Sequence, residues 1–234
     1  MPAAIQVCYA PADYERRPPA FWRGRAAVVF DILRATSTIV TALAAGCGGV
    51  RCFRAVAAAR RYAARHARTA LAGERDGVPP PAFQYGNSPR EFLSWPAAYD
   101  TLALTTTNGT RAIAAAADGG AARVLIGSLL NLSALAEYCR RAGLPLTLVC
   151  SGTGEDFSLE DALAAGALLA ELRRAHPLVS LYRANRDDLR RALHTSRNGR
   201  RLRELGLAAD LDFCLQRDRY QVVPALAADG VIGI

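Results

Sequence analysis

Five times in this chain a short apolar or β-branched run is followed by an alanine- and leucine-rich stretch of helical spacing. The pairs are 26–32 and 37–45, 50–53 and 56–67, 102–106 and 110–117, 124–127 and 132–142, and 146–150 and 159–175. Strand-like and helix-like periods in strict alternation predict an α/β fold, a three-layer α/β/α sandwich around a largely parallel or mixed sheet. With 234 residues, 51% hydrophobic and 21% charged, the chain is long enough to bury a substantial core. The expectation is a single domain over 1–234, or two closely packed α/β halves without a clean linker.

Two regions break the pattern. Residues 73–89 are rich in glycine and proline, include Val78-Pro79-Pro80-Pro81, and read as a long loop of the kind that often carries function. From about Ser180 the chain becomes charged and helical through Arg203, then irregular, with 222–224 and 231–234 as weak strand candidates.

The net charge of +8 would suit nucleic acid, an acidic membrane surface or a polyanionic small substrate. All 29 basic residues are arginine, a bias that genomic base composition explains without a functional cause, and Arg60, Arg61, Arg65 and Arg68 read as a solvated helix face. Aromatic residues make up only 7% and do not interleave with the arginines, so no nucleic-acid partner is expected. No run of about 18 apolar residues occurs and the N-terminus has no signal-like pattern, so no membrane partner is expected and a cytoplasmic location is. Cys8, Cys47, Cys52, Cys139, Cys150 and Cys214 form no C-x-x-C pair and read as buried thiols in a reducing compartment. The sequence leaves a homo-oligomer open.

In an open α/β sheet, ligands bind beyond the carboxyl ends of the strands, where helix N-termini present free N–H groups. Polar residues gather at those positions. The first is Asp31-Ile32-Leu33-Arg34-Ala35-Thr36-Ser37-Thr38, where Asp31 could hold a metal, the Arg34 fork a pair of phosphate oxygens, and Ser37 further oxygens. A helix cap at Thr36 or Ser37, with Asp31 and Arg34 paired to each other, accounts for the same residues equally well. The second is Thr105-Thr106-Thr107-Asn108-Gly109-Thr110-Arg111. Gly109 there allows close backbone approach, and Arg111 in a first helical turn opposes the helix dipole unless an anion is near.

Gly127-Ser128 with Asn131, and Ser151-Gly152-Thr153-Gly154, repeat the theme more weakly. Ser158-Leu159-Glu160-Asp161 matches a capping box with Ser158 as cap and Asp161 reaching back, which leaves Glu160 without a local task and available as a metal ligand. The long loop adds Glu74, Arg75, Asn87 and Ser88, for which solvated loop polarity is the plain alternative. Together Arg34, Arg75 and Arg111 with Asp31, Glu74, Glu160 and Asp161 have the composition of a magnesium-assisted phosphoryl-transfer site.

Five of these stretches resemble the 2-phosphosulfolactate phosphatase family: Asp31 to Thr38, Gly73-Glu74-Arg75, Gly86-Asn87-Ser88-Pro89, Thr105 to Arg111 (TTTNGTR), and Ser158-Leu159-Glu160-Asp161 with Ala164-Ala165-Gly166. They follow the family's order over about 28–166. The resemblance implies a three-layer α/β fold and Mg²⁺-dependent hydrolysis of 2-phospho-3-sulfolactate, or a similar 2-phosphorylated small organic acid, to 3-sulfolactate and phosphate, a step toward coenzyme M in methanogens. Beyond about Arg190 it fades: Ser196-Arg197-Asn198-Gly199 and 210–214 match only loosely.

The expected site therefore has Asp31, Arg34 and Arg111 as catalytic residues. Ser37, Arg75, Asn87, Ser88, Thr107, Asn108, Gly109, Thr110 and Asn131 are expected to hold a small anionic phosphoester. Asp31, Glu74, Glu160 and Asp161 are the candidate ligands for Mg²⁺. Attack by water directly or through an enzyme nucleophile is open, with Asp31 the first candidate for the latter. A haloacid-dehalogenase-type site would need aspartate where Leu33 stands, and a cysteine phosphatase would need arginine where Asp156 follows Cys150. The rival reading is a non-catalytic small-anion binding or regulatory protein, which would gain nothing from Asp31, Glu74 and Glu160.

Overall fold

The structure, a computed structural model, describes residues 4–234. Its elements in chain order are β1 (Ile5–Cys8), α1 (Pro11–Glu15), α2 (Pro19–Trp22), β2 (Ala26–Phe30), α3 (Ala35–Ala44), β3 (Gly49–Cys52), α4 (Val56–Arg65) and β4 (Thr69–Gly73). Then follow β5 (Thr101–Thr105), α5 (Gly109–Asp118), β6 (Arg123–Gly127), α6 (Leu132–Ala142), β7 (Leu146–Cys150) and α7 (Leu159–Glu171). The C-terminal part contains α8 (Pro177–Asn185), α9 (Leu189–Thr195), α10 (Arg197–Glu204), α11 (Ala208–Cys214), β8 (Ala225–Leu226) and β9 (Ile232–Gly233).

Among the described residues nine strands form one sheet, in the order β1-β7-β2-β6-β8-β9-β3-β5-β4. β1, β7, β2 and β6 run parallel, as do β3, β5 and β4. The short β8 and β9 join these two blocks through antiparallel pairings only, so the sheet is mixed. Successive side chains of β2 divide between two cores, as a strand covered on both faces requires. Ala26, Val28 and Phe30 pack with Leu125, Leu148 and the apolar faces of α6, α7 and α8. Ala27 and Val29 pack with Ile126, Val149 and residues of α3 and α5. That second layer continues over β3, β4 and β5 through Val50, Ala70 and Leu102, while α4 covers their other face through Ala59 against Leu71 and Ala103. The result is the three-layer α/β/α sandwich expected from the alternation.

The differences from the sequence pattern have physical causes. β4, Thr-Ala-Leu-Ala-Gly, carries one β-branched residue and is a strand because it is buried and hydrogen-bonded along β5. The connection expected over 73–89 runs on to the start of β5. It is pinned by a 3₁₀ turn at Pro89–Phe92 and by ring contacts of Tyr85 with Phe92 and Tyr99, and of Phe92 with Trp95. The charged C-terminal stretch is broken into short helices by caps at His176, Asp188 and Ser196, whose side chains each accept from a backbone N–H of the following turn. Among the described residues no helix is long and apolar enough to cross a membrane.

Candidate active site

β2 delivers Asp31 to its carboxyl end. There the backbone carbonyl of Asp31 accepts from Thr36 N at 2.9 Å, and Oδ1 accepts from Ala35 N at 3.3 Å. Asp31 is only 7% exposed yet borders a cavity of about 460 Å³. Burial, reinforced by the charge of Glu74 and more weakly of Glu160, pushes its carboxyl up to about 7. Glu74, just past β4, lines the same cavity and is held rigidly. Its Oε1 accepts from Thr107 N at 2.7 Å and its Oε2 from Gly77 N at 2.9 Å.

The loop between β5 and α5 comes in beside Asp31. Thr107 and Asn108 line the cavity, and Asn108 Oδ1 accepts from Gly154 N at 3.2 Å. Gly109 packs against Asp31 so closely that a Cβ there would lie 2.7 Å from Oδ2. Asn87 lines the cavity while 4% exposed, and its side-chain oxygen finds no donor among the described residues.

Glu160 and Asp161, in the first turn of α7, stand behind this front row; neither borders the cavity. The capping prediction holds for Ser158, whose Oγ accepts from Asp161 N at 3.3 Å. The Asp161 carboxylate does not complete the box: its Oδ1 accepts from Ile32 N at 3.0 Å, one residue after Asp31. Burial, with the charges of Asp31 and Glu160, holds Asp161 well above the usual carboxylate range. Glu160 Oε1 accepts from Asn198 Nδ2 at 2.6 Å.

Arg34 lines the cavity but is buried in an ion pair with Asp210 at 2.7 Å, and donates to Gly77 O at 3.3 Å. Ser88 Oγ donates to the other Asp210 oxygen at 2.7 Å. Ser37 Oγ is turned inward, donating to Ile32 O at 2.9 Å beside Ser128 Oγ. Arg75 donates to Glu74 O, Arg54 O and Thr105 Oγ1. Thr110 Oγ1 closes the local turn on Thr106 O, and Asn131 ties Ser128 to Ile126 and Val222. Arg111 does meet anions, but they are Glu15 and Glu155, which grip its guanidinium from two sides; it borders a neighbouring cleft of about 330 Å³ with Arg54 and Thr107.

The C-terminal helices add residues that the sequence motifs do not mark. α10 contributes Arg197, Asn198, Arg200 and Arg201, and α11 supplies Asp210 as the partner of Arg34. The signal was present: three arginines within the first five residues of α10 oppose its dipole, the same argument that singled out Arg111.

Among the described residues no three histidine, cysteine, aspartate or glutamate side chains form a ready-made metal cluster. Asp31 and Glu74 nonetheless fit Mg²⁺, a hard cation commonly held by one or two carboxylates with water and substrate oxygens completing its shell. Asp31 is buried and repelled by Glu74 and Glu160, a charge arrangement that a cation beside it would relieve.

The family profile described as 2-phosphosulpholactate phosphatase matches residues 14–229. A protein of Thermotoga maritima named probable 2-phosphosulfolactate phosphatase is 38% identical over 208 residues, covering 86% of this chain and 89% of its own length. Proteins of the same name from Symbiobacterium thermophilum and Thermosynechococcus vestitus are 38% identical over 221 residues and 36% identical over 226. Each alignment covers 89% of this chain, and 94% and 91% of the respective relative.

Proposed function

The chain belongs to the 2-phosphosulfolactate phosphatase family, whose members are phosphoric monoester hydrolases, and on that premise we propose a Mg²⁺-dependent, cytoplasmic phosphatase that converts 2-phospho-3-sulfolactate, or a closely similar 2-phosphorylated organic acid, to the free hydroxy acid and phosphate. One observation carries the reading: a single cavity is lined both by carboxylates, Asp31 and Glu74 just past strand ends with Asp76 and Glu204, and by arginines, Arg34, Arg197, Arg200 and Arg201. An anion binder has no use for the first set, and a simple cation site has none for the second.

Asp31 and Glu74 would hold the ion, which when bound neutralises phosphoryl charge and polarises the phosphorus–oxygen bonds. The chain's own groups do the positioning. Backbone N–H groups of Thr107 and Gly77 fix Glu74, the N–H of Ala35 fixes Asp31, and the N–H of Ile32 fixes Asp161 behind it. Orientation set before the substrate arrives lowers the entropic part of the barrier. Burial raises the Asp31 carboxyl to about 7, and positive charge beside it would favour the ionised form. Buried, free thiols at Cys8, Cys47, Cys139, Cys150 and Cys214 support a reducing location.

The test is release of inorganic phosphate from 2-phospho-3-sulfolactate, 2-phospholactate and phenyl phosphate, each with Mg²⁺ and with chelator. Metal-dependent release favouring the sulfonate agrees with the reading; release that ignores the chelator contradicts it.

A further inference from the structure

We propose that Arg200, presented by α10 to the cavity that Asp31 and Glu74 also line, is a specificity-determining residue that recognises the second acidic group of the substrate, its sulfonate or carboxylate. The inference rests on the reading of this cavity as a phosphoester hydrolase site and deepens it.

The arginines of the helical wall are not equivalent. Arg197 is engaged with Asp156 at 2.8 Å, and Arg201 with Glu204 at 3.5 Å and with Asp76 O. Arg34 is neutralised by Asp210. Among the described residues the Arg200 side chain donates only to the Thr195 carbonyl and has no carboxylate partner. It is therefore the guanidinium of this wall whose charge is left for a ligand. A phosphate monoester that carries a further acid group brings more negative charge than a cation at Asp31 and Glu74 can offset, and a planar guanidinium fork matches carboxylate or sulfonate oxygens.

α10 is also fixed in place, as a recognition element has to be. Ser196 caps it, accepting from Gly199 N at 3.1 Å, and a Cβ at Gly199 would lie 1.8 Å from Leu193 O, so the first turn is seated directly on the end of α9. Asn198 fastens the same turn to the start of α7 and the connection before it, donating to Glu160 Oε1 at 2.6 Å and to Thr153 Oγ1 at 2.9 Å. An independent sign of a ligand is Asn87, 4% exposed on the cavity wall with its side-chain oxygen unpartnered. The helix thus holds the Arg200 backbone in a fixed place at the cavity.

The experiment compares kcat/KM for 2-phospho-3-sulfolactate and for phenyl phosphate, which has no second acid, in wild type, Arg200→Ala, Arg200→Lys and Arg203→Ala. Arg203 lies on the same helix, exposed and away from the cavity, and controls for net charge. Losing one charge-assisted contact should lower kcat/KM for the sulfonate about 10- to 100-fold in Arg200→Ala, mainly through KM. The effect on phenyl phosphate should be much smaller, Arg200→Lys should recover part of the loss, and Arg203→Ala should change neither value. Equal losses on both esters, or none, would overturn the assignment. Wild type that hydrolyses neither ester would instead remove the functional reading on which it rests. A competitive inhibition constant for unphosphorylated sulfolactate, measured with phenyl phosphate as substrate, gives a second readout, and an unchanged value in Arg200→Ala would also contradict the role.

Discussion

Gly109 and Asp31 touch: a side chain at position 109 would lie 2.7 Å from Asp31 Oδ2 and 2.6 Å from the Ala35 Cβ. The loop that begins α5 can therefore reach the carboxyl end of β2 only if position 109 has no side chain. Gly109→Ala should displace Asp31 or the loop, lowering kcat/KM at least tenfold while reducing stability by about 1–3 kcal/mol, in the range for overpacking. Steady-state kinetics together with urea unfolding check this, and full activity would show that Asp31 need not stay where it is.

Asp31 should also make the metal-free protein's stability depend on pH. Its folded-state value of about 7 lies above the ordinary 3.8, so between those values the folded state binds the extra proton and stability falls as pH rises. Asp31→Asn removes this effect. In chelator at pH 7.5 the variant should melt roughly 2–8 °C above wild type, corresponding to about 1–2 kcal/mol. Mg²⁺ should stabilise wild type and leave the variant nearly unmoved. A variant that melts lower in chelator would contradict the account of this carboxyl as one destabilised by burial and by neighbouring charge.

The buried Arg34–Asp210 pair joins the segment after β2 to α11, and Ser88 adds the 74–100 connection to the same carboxylate. Removing one partner leaves a buried charge alone. Arg34→Met or Asp210→Leu should each cost about 3–5 kcal/mol, with the double variant less damaged than the sum of the two. Urea midpoints of the four proteins measure the coupling.

Arg111 ties α1 to the β7–α7 connection through Glu15 and Glu155, at 25% side-chain exposure. Arg111→Ala should therefore lower Tm by only about 2–4 °C, as expected for partly solvated ion pairs. A fall in kcat/KM much smaller than that of Asp31→Asn is expected as well; an equally large fall would place its guanidinium on the substrate.

The layered fold was legible because strands buried on both faces and helices of 3.6-residue period leave different traces in a sequence. β4 escaped notice because its alanines carry no such trace, and its pairing with β5 is visible only in three dimensions. Asp31, Glu74, Asn87, Thr107 and Asn108 could be read because each follows a strand or sits in the long connection, and they do meet at one cavity. Asp161 could not be read correctly, since a capping box and a bond to Ile32 N look alike in sequence. Asp210 and the α10 arginines lie far along the chain, in a region whose local pattern says only charged helix. What makes them part of the site is the packing of α10 and α11 over the strand ends.

The most direct test of the account is phosphate release from 2-phospho-3-sulfolactate by wild type and by Asp31→Asn, each with Mg²⁺ and with chelator, alongside their unfolding curves. The account predicts turnover by wild type with metal only, and a loss of roughly a thousandfold or more in the variant, with the fold intact. Comparable turnover by the folded variant, or by wild type in chelator, would contradict it.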